Sequence, residues 1–321
     1  MRNGLRTIIA AGYCLRASLR FVTPSPSKAL LNKPALCTEI GFSVSDEGAM
    51  TSARDARHHP SALRNREFIS TELLKLVTQE HGAMLEIASG TGCHAEAFAK
   101  VLPPGWIFQP TEASQDYDET LIPDIVATIE GGQYRNIRLP VVLDVCSDPS
   151  TWPRPGGAAG TGDGDEDDAR LWDSVICSNM IHISPQECTR GLLSGASEGL
   201  KMGGLLILYG PFALDGVLIP DSNKSFDTSL KARSGGRWGI RDAAWVADLA
   251  LQRGLELTAM ELMPANNFFV VFKKVRLSAA SATSDASPAG GGDAHKARVA
   301  GLVSAVVIPA REALEAKLAA E

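Results

Sequence analysis

The chain has 321 residues, 45% of them hydrophobic and 21% charged. These are ordinary globular proportions, which exclude collagen-like, disulfide-scaffold and wholly disordered classes, and there is no apolar run of the about 18 residues that a membrane span needs. The net formal charge of −6 is unevenly spread: Arg2, Arg6, Arg16, Arg20, Lys28 and Lys33 precede the first acid, Glu39, so the rest of the chain is more acidic than the total implies. Such a body binds phosphate backbones poorly, and nucleic acid is not an expected partner.

Placed on a helix at about 100° per residue, the four N-terminal arginines fall within roughly 80° of one another, beside an arc of Leu5, Ile8, Leu15 and Leu19. With the Ser/Pro-rich stretch at 23–27 this reads as a transit-peptide-like segment over 1–50 for a mitochondrion or plastid, with a disordered basic tail in the cytoplasm as the alternative. The six cysteines (Cys14, Cys37, Cys93, Cys146, Cys177 and Cys188) form no C-x-x-C pair, and Cys177 sits in an apolar run, which suits a reducing compartment. No cysteine or histidine spacing resembles a zinc site, so no metal is expected.

The body, 51–277, alternates short apolar runs with helical patterns. The runs are 84–88, 106–109, 141–143, 174–177 and 205–209. Strands alternating with helices predict an α/β fold with a mostly parallel, doubly wound sheet covered on both faces. Two further runs, 255–263 and 268–273, are separated only by Pro264-Ala265-Asn266-Asn267, too short for a parallel crossover, so the last strand should run antiparallel. Between 145 and 171 lies a Pro/Gly loop with the acidic run 163–168, read as a solvated insertion rather than a calcium loop. Residues 278–294 have a linker composition, and 310–321 form a short helix-prone tail, marginal alone.

The strongest chemical signal follows the first strand: Glu86-Ile87-Ala88-Ser89-Gly90-Thr91-Gly92-Cys93-His94, opening into a helix. Gly90 and Gly92 permit a tight turn and close approach of a ligand to the backbone, and the helix start offers unpaired N–H groups. The third glycine of the dinucleotide fingerprint is replaced by Ala95, and an acid, Glu86, stands four residues before Gly90, which suits a ligand bringing a cationic amine rather than a pyrophosphate. Glu112, after the second strand, is placed to accept ribose hydroxyls, and Asp144, ending the third, to accept from an adenine amino group.

These residues resemble a class I S-adenosylmethionine-dependent methyltransferase. More narrowly, Arg64-Asn65-Arg66-Glu67, the glycine turn, Ser178-Asn179-Met180-Ile181-His182-Ile183, Tyr209-Gly210-Pro211-Phe212, Trp238-Gly239-Ile240-Arg241-Asp242 and Pro264-Ala265-Asn266-Asn267 resemble the family containing methyltransferase-like protein 26, over about 57–274. The resemblance implies a seven-stranded sheet of order 3-2-1-4-5-7-6 with strand seven antiparallel, in a three-layer sandwich. Cys93, where the family more often has a polar residue, and the acidic insertion are departures.

The implied cofactor is S-adenosylmethionine, held by Glu86, Ala88, Ser89, Gly90, Thr91, Gly92, Glu112 and Asp144, with Asn179 and Met180 lining its methionine moiety and Arg64 and Asn65 reaching its carboxylate. Arg66 and Glu67 read equally as surface or capping residues. His182 is either the base for the methyl acceptor or a structural prop of its loop, and Tyr209 either faces the same cavity or packs beneath it. Asn223 and Asp227, in the long 211–240 connection, are assigned to a substrate lid, and Phe226 to the core. The expected activity is methyl transfer to a small-molecule or protein acceptor. Alternatives are a silent methyltransferase-like scaffold and a nicotinamide oxidoreductase, which Ala95 disfavours.

Overall fold

The apolar runs become strands because Val, Ile, Leu and Phe alternate between two covered faces. These strands are β1 (His81–Ile87), β2 (Gly105–Glu112), β3 (Val141–Val142), β4 (Trp172–Ser178) and β5 (Leu200–Gly210). Next come the two-residue β6 (Phe212–Ala213) and β7 (Arg241–Asp242), which pair with each other, then β8 (Leu255–Met263) and β9 (Asn267–Lys274). The computed structural model describes residues 57–113, 121–156, 171–276 and 291–321, all within the unit Met50–Glu321. The transit-peptide-like segment, the acidic run and most of the linker therefore lie outside the described residues.

The main sheet has seven strands in the order β3-β2-β1-β4-β5-β9-β8. β1, β2, β3, β4 and β5 pair in parallel, and β9 is antiparallel to both β5 and β8. Counted within this sheet, the order is 3-2-1-4-5-7-6 with the seventh strand antiparallel, as expected. The short turn at 264–266 forces that reversal.

Helices cover both faces. Period-two alternation along β1 sends Ala83, Leu85 and Ile87 to one side, where they pack with Val175, Cys177, Leu206 and Leu208 against α4 (Gln186–Gly199) and α6 (Ala243–Leu251). Met84, Ile176, Ile207 and Tyr209 point to the other side, against α1 (Pro60–Leu76), α2 (Cys93–Val101) and α3 (Leu121–Gly132). The 211–240 connection contains α5 (Asp221–Ser234).

The C-terminal region departs from the sequence reading. Instead of a short tail helix from residue 310, α7 (Gly291–Leu302) runs through a π-helical turn, Val303–Val307, into α8 (Ile308–Ala320). Val303, Val307, Ala310 and Leu314 are buried in the same core as β1, β4 and β5. A helix too short to persist alone is held by this apolar stripe, each large buried side chain contributing about 1.5 to 3 kcal/mol. Phe226 is also misassigned to the core: it is 37% exposed, because α5 is amphipathic with its buried side formed by Asn223, Asp227 and Leu230. Among the described residues, no helix is long and apolar enough to cross a membrane.

Candidate active site at the carboxyl ends of the strands

β1 ends at Ile87, and the chain then turns through Ala88 and Gly90, both at φ 57, and Gly92 at φ 80, before α2 begins at Cys93. A Cβ on Gly92 would make only ordinary contact, 3.4 Å from the Ile125 backbone, so the position needs glycine for its dihedral rather than for space. At Gly90 a Cβ would meet none of the described residues within 4 Å, so among them its free side faces open space. The turn is tied to the end of β2. Ser89 N–H donates to the Thr111 carbonyl at 2.8 Å, the Thr111 hydroxyl to the Glu86 carbonyl at 2.7 Å, and Gly90 N–H to Glu112 Oε2 at 2.8 Å. Thr91 is pinned from behind, its hydroxyl 2.7 Å from His58 Nδ1 and its carbonyl accepting from Thr128 at 3.0 Å. The sequence reading missed His58, because nothing in its local pattern signals a partner 33 residues away.

Glu86 is 1% exposed, and neither carboxylate oxygen closes a hydrogen bond of good geometry among the described residues, although the Ser89 hydroxyl is near enough to pull its carboxyl down. Burial, with the Glu112 charge adding, pushes its carboxyl up to about 8. The nearest base is His94 on α2, whose Nδ1 lies 3.8 Å from Glu86 Oε1. His94 is itself buried with Nε2 unpartnered, and burial pushes it down to about 4. Its ring stacks on Phe98, and Arg66 reaches the same corner, where its charge acts on both Cys93 and His94. Arg66 is half-buried, while Arg64 and Glu67 are exposed and Asn65 is buried on α1.

The loop after β4 brings in the second half of the site. Asn179 adopts a left-handed conformation, φ 64, and its N–H donates to the Tyr209 carbonyl at 2.8 Å. Met180 and His182 follow in a single 3-10 turn. His182 is 3% exposed, its Nδ1 lacks a partner, and burial, helped by the Arg241 charge, pushes it down to about 4. Its ring meets Phe226 edge-on at 5.6 Å, so the exposed Phe226 covers His182 from α5. Gly210 makes room for this arrangement: a Cβ there would lie 3.1 Å from the His182 ring. Arg241 holds the loop, donating from Nε to the Ile181 carbonyl at 3.0 Å and from its terminal nitrogen to Ser184.

Tyr209 and Ser178 are register partners on β5 and β4, both buried; neither hydroxyl closes a hydrogen bond of good geometry among the described residues, although Asn267 lies near enough to the Tyr209 phenol to act on it. Burial pushes the Tyr209 phenol up to about 12, so it stays a donor. Five of the eight described residues that hold a buried side-chain atom with no partner of good geometry (Glu86, His94, Ser178, His182 and Tyr209) stand on the carboxyl ends of β1, β4 and β5 or on the segments that leave them.

Three further assigned residues lie outside this cluster of unpartnered groups. Asp144 is exposed, and its Oδ1 accepts from Cys146 N–H at 2.8 Å. Asn223 donates to the Ile219 and Asn266 carbonyls at 3.1 and 3.3 Å, tying α5 to the turn between β8 and β9. Asp227 accepts from Ile240 N–H at 2.8 Å and pairs with Lys231. Both lid residues are buried and their polar atoms are engaged within the protein, so they shape the lid rather than present groups to solvent. No three His, Cys, Asp or Glu side chains among the described residues form a metal-binding group.

The fold recurs among solved methyltransferases. An O-methyltransferase family protein from Burkholderia thailandensis matches with a TM-score of 0.53 at 13% identity, covering 70% of this chain and 60% of the other. The mitomycin 7-O-methyltransferase MmcR matches with a TM-score of 0.50 at 15% identity, covering 66% of this chain and 54% of the other. This chain thus spans less than two thirds of the length of either neighbour, and the likeness is one of fold. The sequence itself matches, over residues 56–274, the family described as protein of unknown function (DUF938), and the chain belongs to that family.

Proposed function

We propose that this chain is an S-adenosylmethionine-dependent methyltransferase, and that it is a member of the family containing methyltransferase-like protein 26. The observation that carries this reading is Glu86: a fully buried carboxylate with only the Ser89 hydroxyl near it and no cation to pair with among the described residues, beside a left-handed glycine turn. A buried carboxylate without a partner is costly. An ammonium group, such as the amine of a methionine moiety, would supply the missing donors and return Glu86 to its ionised form. Glu112 and Asp144 would take the ribose and adenine ends, and the Asn179-Met180 turn the methionine chain. When bound, S-adenosylmethionine supplies a methyl carbon activated by its sulfonium sulfur.

The residues of this chain then need to align the acceptor and receive its proton. His182 is neutral throughout the physiological pH range, and in the tautomer protonated at Nε2 its Nδ1 accepts a hydrogen bond from an acceptor hydroxyl. Held near 4, it is too weak a base to deprotonate an alkylammonium, but strong enough to take the proton of a hydroxyl oxygen that has already bonded to the methyl carbon. This favours a hydroxyl acceptor, with proton transfer late. Tyr209 and Ser178 would donate to the acceptor or the cofactor, and Phe226 would exclude water from His182.

Calorimetry with S-adenosylhomocysteine and with NAD tests the reading. S-adenosylhomocysteine should bind and NAD should not, and Glu86→Gln should weaken the former; binding of NAD alone would sink it. A catalytically silent scaffold would bind S-adenosylhomocysteine but transfer no label from methyl-labelled cofactor to any component of an organelle extract. We also propose that residues 1–50 direct import into a mitochondrion or plastid; a fluorescent reporter carrying them should leave the cytosol.

A further inference from the structure

We propose that Cys146 and Cys188 form a dithiol–disulfide couple that staples the segment after β3 to α4. The two Sγ atoms lie 3.8 Å apart, although 42 residues separate them in sequence. A disulfide needs about 2.05 Å between sulfurs, so closure requires an approach of roughly 2 Å, within the reach of side-chain rotation.

The backbone is built for this proximity. A Cβ on Gly191 would lie 2.2 Å from the Val145 carbonyl and 3.3 Å from the Cys146 Cα, so only glycine lets α4 rest directly on the 145–146 backbone. Cys188, three residues earlier on α4, shares that helix face. The other end of the couple is equally fixed, because Cys146 N–H donates to Asp144 Oδ1 at 2.8 Å. Cys146 is exposed, which gives an oxidant access, whereas Cys93 and Cys177 are buried.

The electrostatics set the character of the couple. Burial, the facing thiol and the nearby Asp144 and Glu187 carboxylates push Cys146 up to about 12, and Cys188 is also raised. Few thiolates exist at neutral pH, so the couple oxidises slowly and is no rapid peroxide sensor. The same destabilisation of the thiolate withholds the stabilisation of the reduced form that makes some disulfides strong oxidants, so the bridge, once made, resists reduction.

The oxidant class is a small-molecule disulfide such as glutathione disulfide. Cys146, as thiolate, attacks one sulfur and expels a glutathione thiolate. Cys188 then loses its proton and attacks the Cys146 sulfur, expelling the second glutathione. The protein loses two hydrogens, and one glutathione disulfide becomes two glutathione thiols.

The couple is independent of the proposed methyl transfer. The test is incubation of the reduced full-length chain with glutathione disulfide at pH 8, followed by peptide mass mapping and thermal melting. A peptide linking Cys146 to Cys188 is expected, two mass units below the sum of its reduced parts, with a rise in melting temperature of roughly 5 to 10 °C from closing the intervening loop. Cys146→Ser should abolish both the bridge and the rise, and Cys188→Ser should leave Cys146 as a mixed disulfide with glutathione. Absence of the linked peptide from folded, oxidised protein would overturn the proposal, as would a rise in melting temperature that persists in both serine variants.

Discussion

The two ends of the central strands treat buried polar groups in opposite ways. At the amino ends they are paired. Asp173, at the start of β4, accepts from Ala83 N–H on β1 and from Lys201 on β5, each at 2.8 Å, and the Trp106 and Trp172 indoles each donate to a carbonyl at 2.8 Å. At the carboxyl ends of the same strands, Glu86, Ser178 and Tyr209 present polar atoms with no partner of good geometry among the described residues. Burial alone does not explain the difference, since both ends are packed. Unpaired buried groups cost about 1 to 3 kcal/mol each, so their concentration at one end marks where stability gives way to binding.

The comparison can be broken by substitution, and the largest effect belongs to His182. Because its Nδ1 has no partner to lose, the nearly volume-conserving His182→Gln, which avoids the cavity that alanine would leave beneath Phe226, should lower turnover by roughly 10² to 10⁴ while leaving melting temperature and S-adenosylhomocysteine affinity almost unchanged. A large fall in melting temperature would make it a structural prop instead. Next, Gly90→Val should reduce S-adenosylhomocysteine affinity by about two orders of magnitude at a folding cost of about 1 to 2 kcal/mol for a branched residue in the left-handed region, readable by calorimetry beside a melting curve. Unchanged affinity would remove the turn from the site.

Asp173→Ala supplies the contrast at the paired end. It should cost about 1 to 3 kcal/mol of stability, measured by urea titration, with no change in ligand affinity; a fall in affinity would erase the distinction between the two ends. The remaining effect is a slope, small at any one pH unit. Glu86 has its folded value raised to about 8 from an ordinary 4.5, so the folded state holds the extra proton and stability should fall as pH rises between those values. His94 and His182, lowered to about 4 from 6.5, act oppositely, and stability should fall as pH drops from 6.5 towards 4. Glu86→Gln should remove the alkaline slope and leave the acidic one. Persistence of the alkaline slope would assign it elsewhere.

The same contrast explains what was legible in the sequence. Strand order and the antiparallel last strand could be read because apolar runs and a four-residue gap constrain the backbone locally, and the glycine turn carries its own dihedral requirement. His58, His94 and Arg241 were not assigned to the site, because each is defined by a partner distant in sequence. Phe226 was placed in the core from its side chain alone, whereas the polar neighbours Asn223 and Asp227 take the buried face of α5. The C-terminal helix did carry a signal: Val303, Val307, Ala310 and Leu314 recur at helical spacing. Its Ala/Glu/Lys composition masked that stripe.

That helix also sets an order on biosynthesis. The core beneath β1, β4 and β5 includes Leu314, more than two hundred residues downstream of β1. A ribosome releases residues vectorially and holds the newest ones in its tunnel, so this core stays open until residue 314 has emerged. The nascent polypeptide must keep the apolar face of the sheet away from its neighbours until then, which makes a chain stalled near residue 290 a client for chaperones rather than a smaller version of the folded protein.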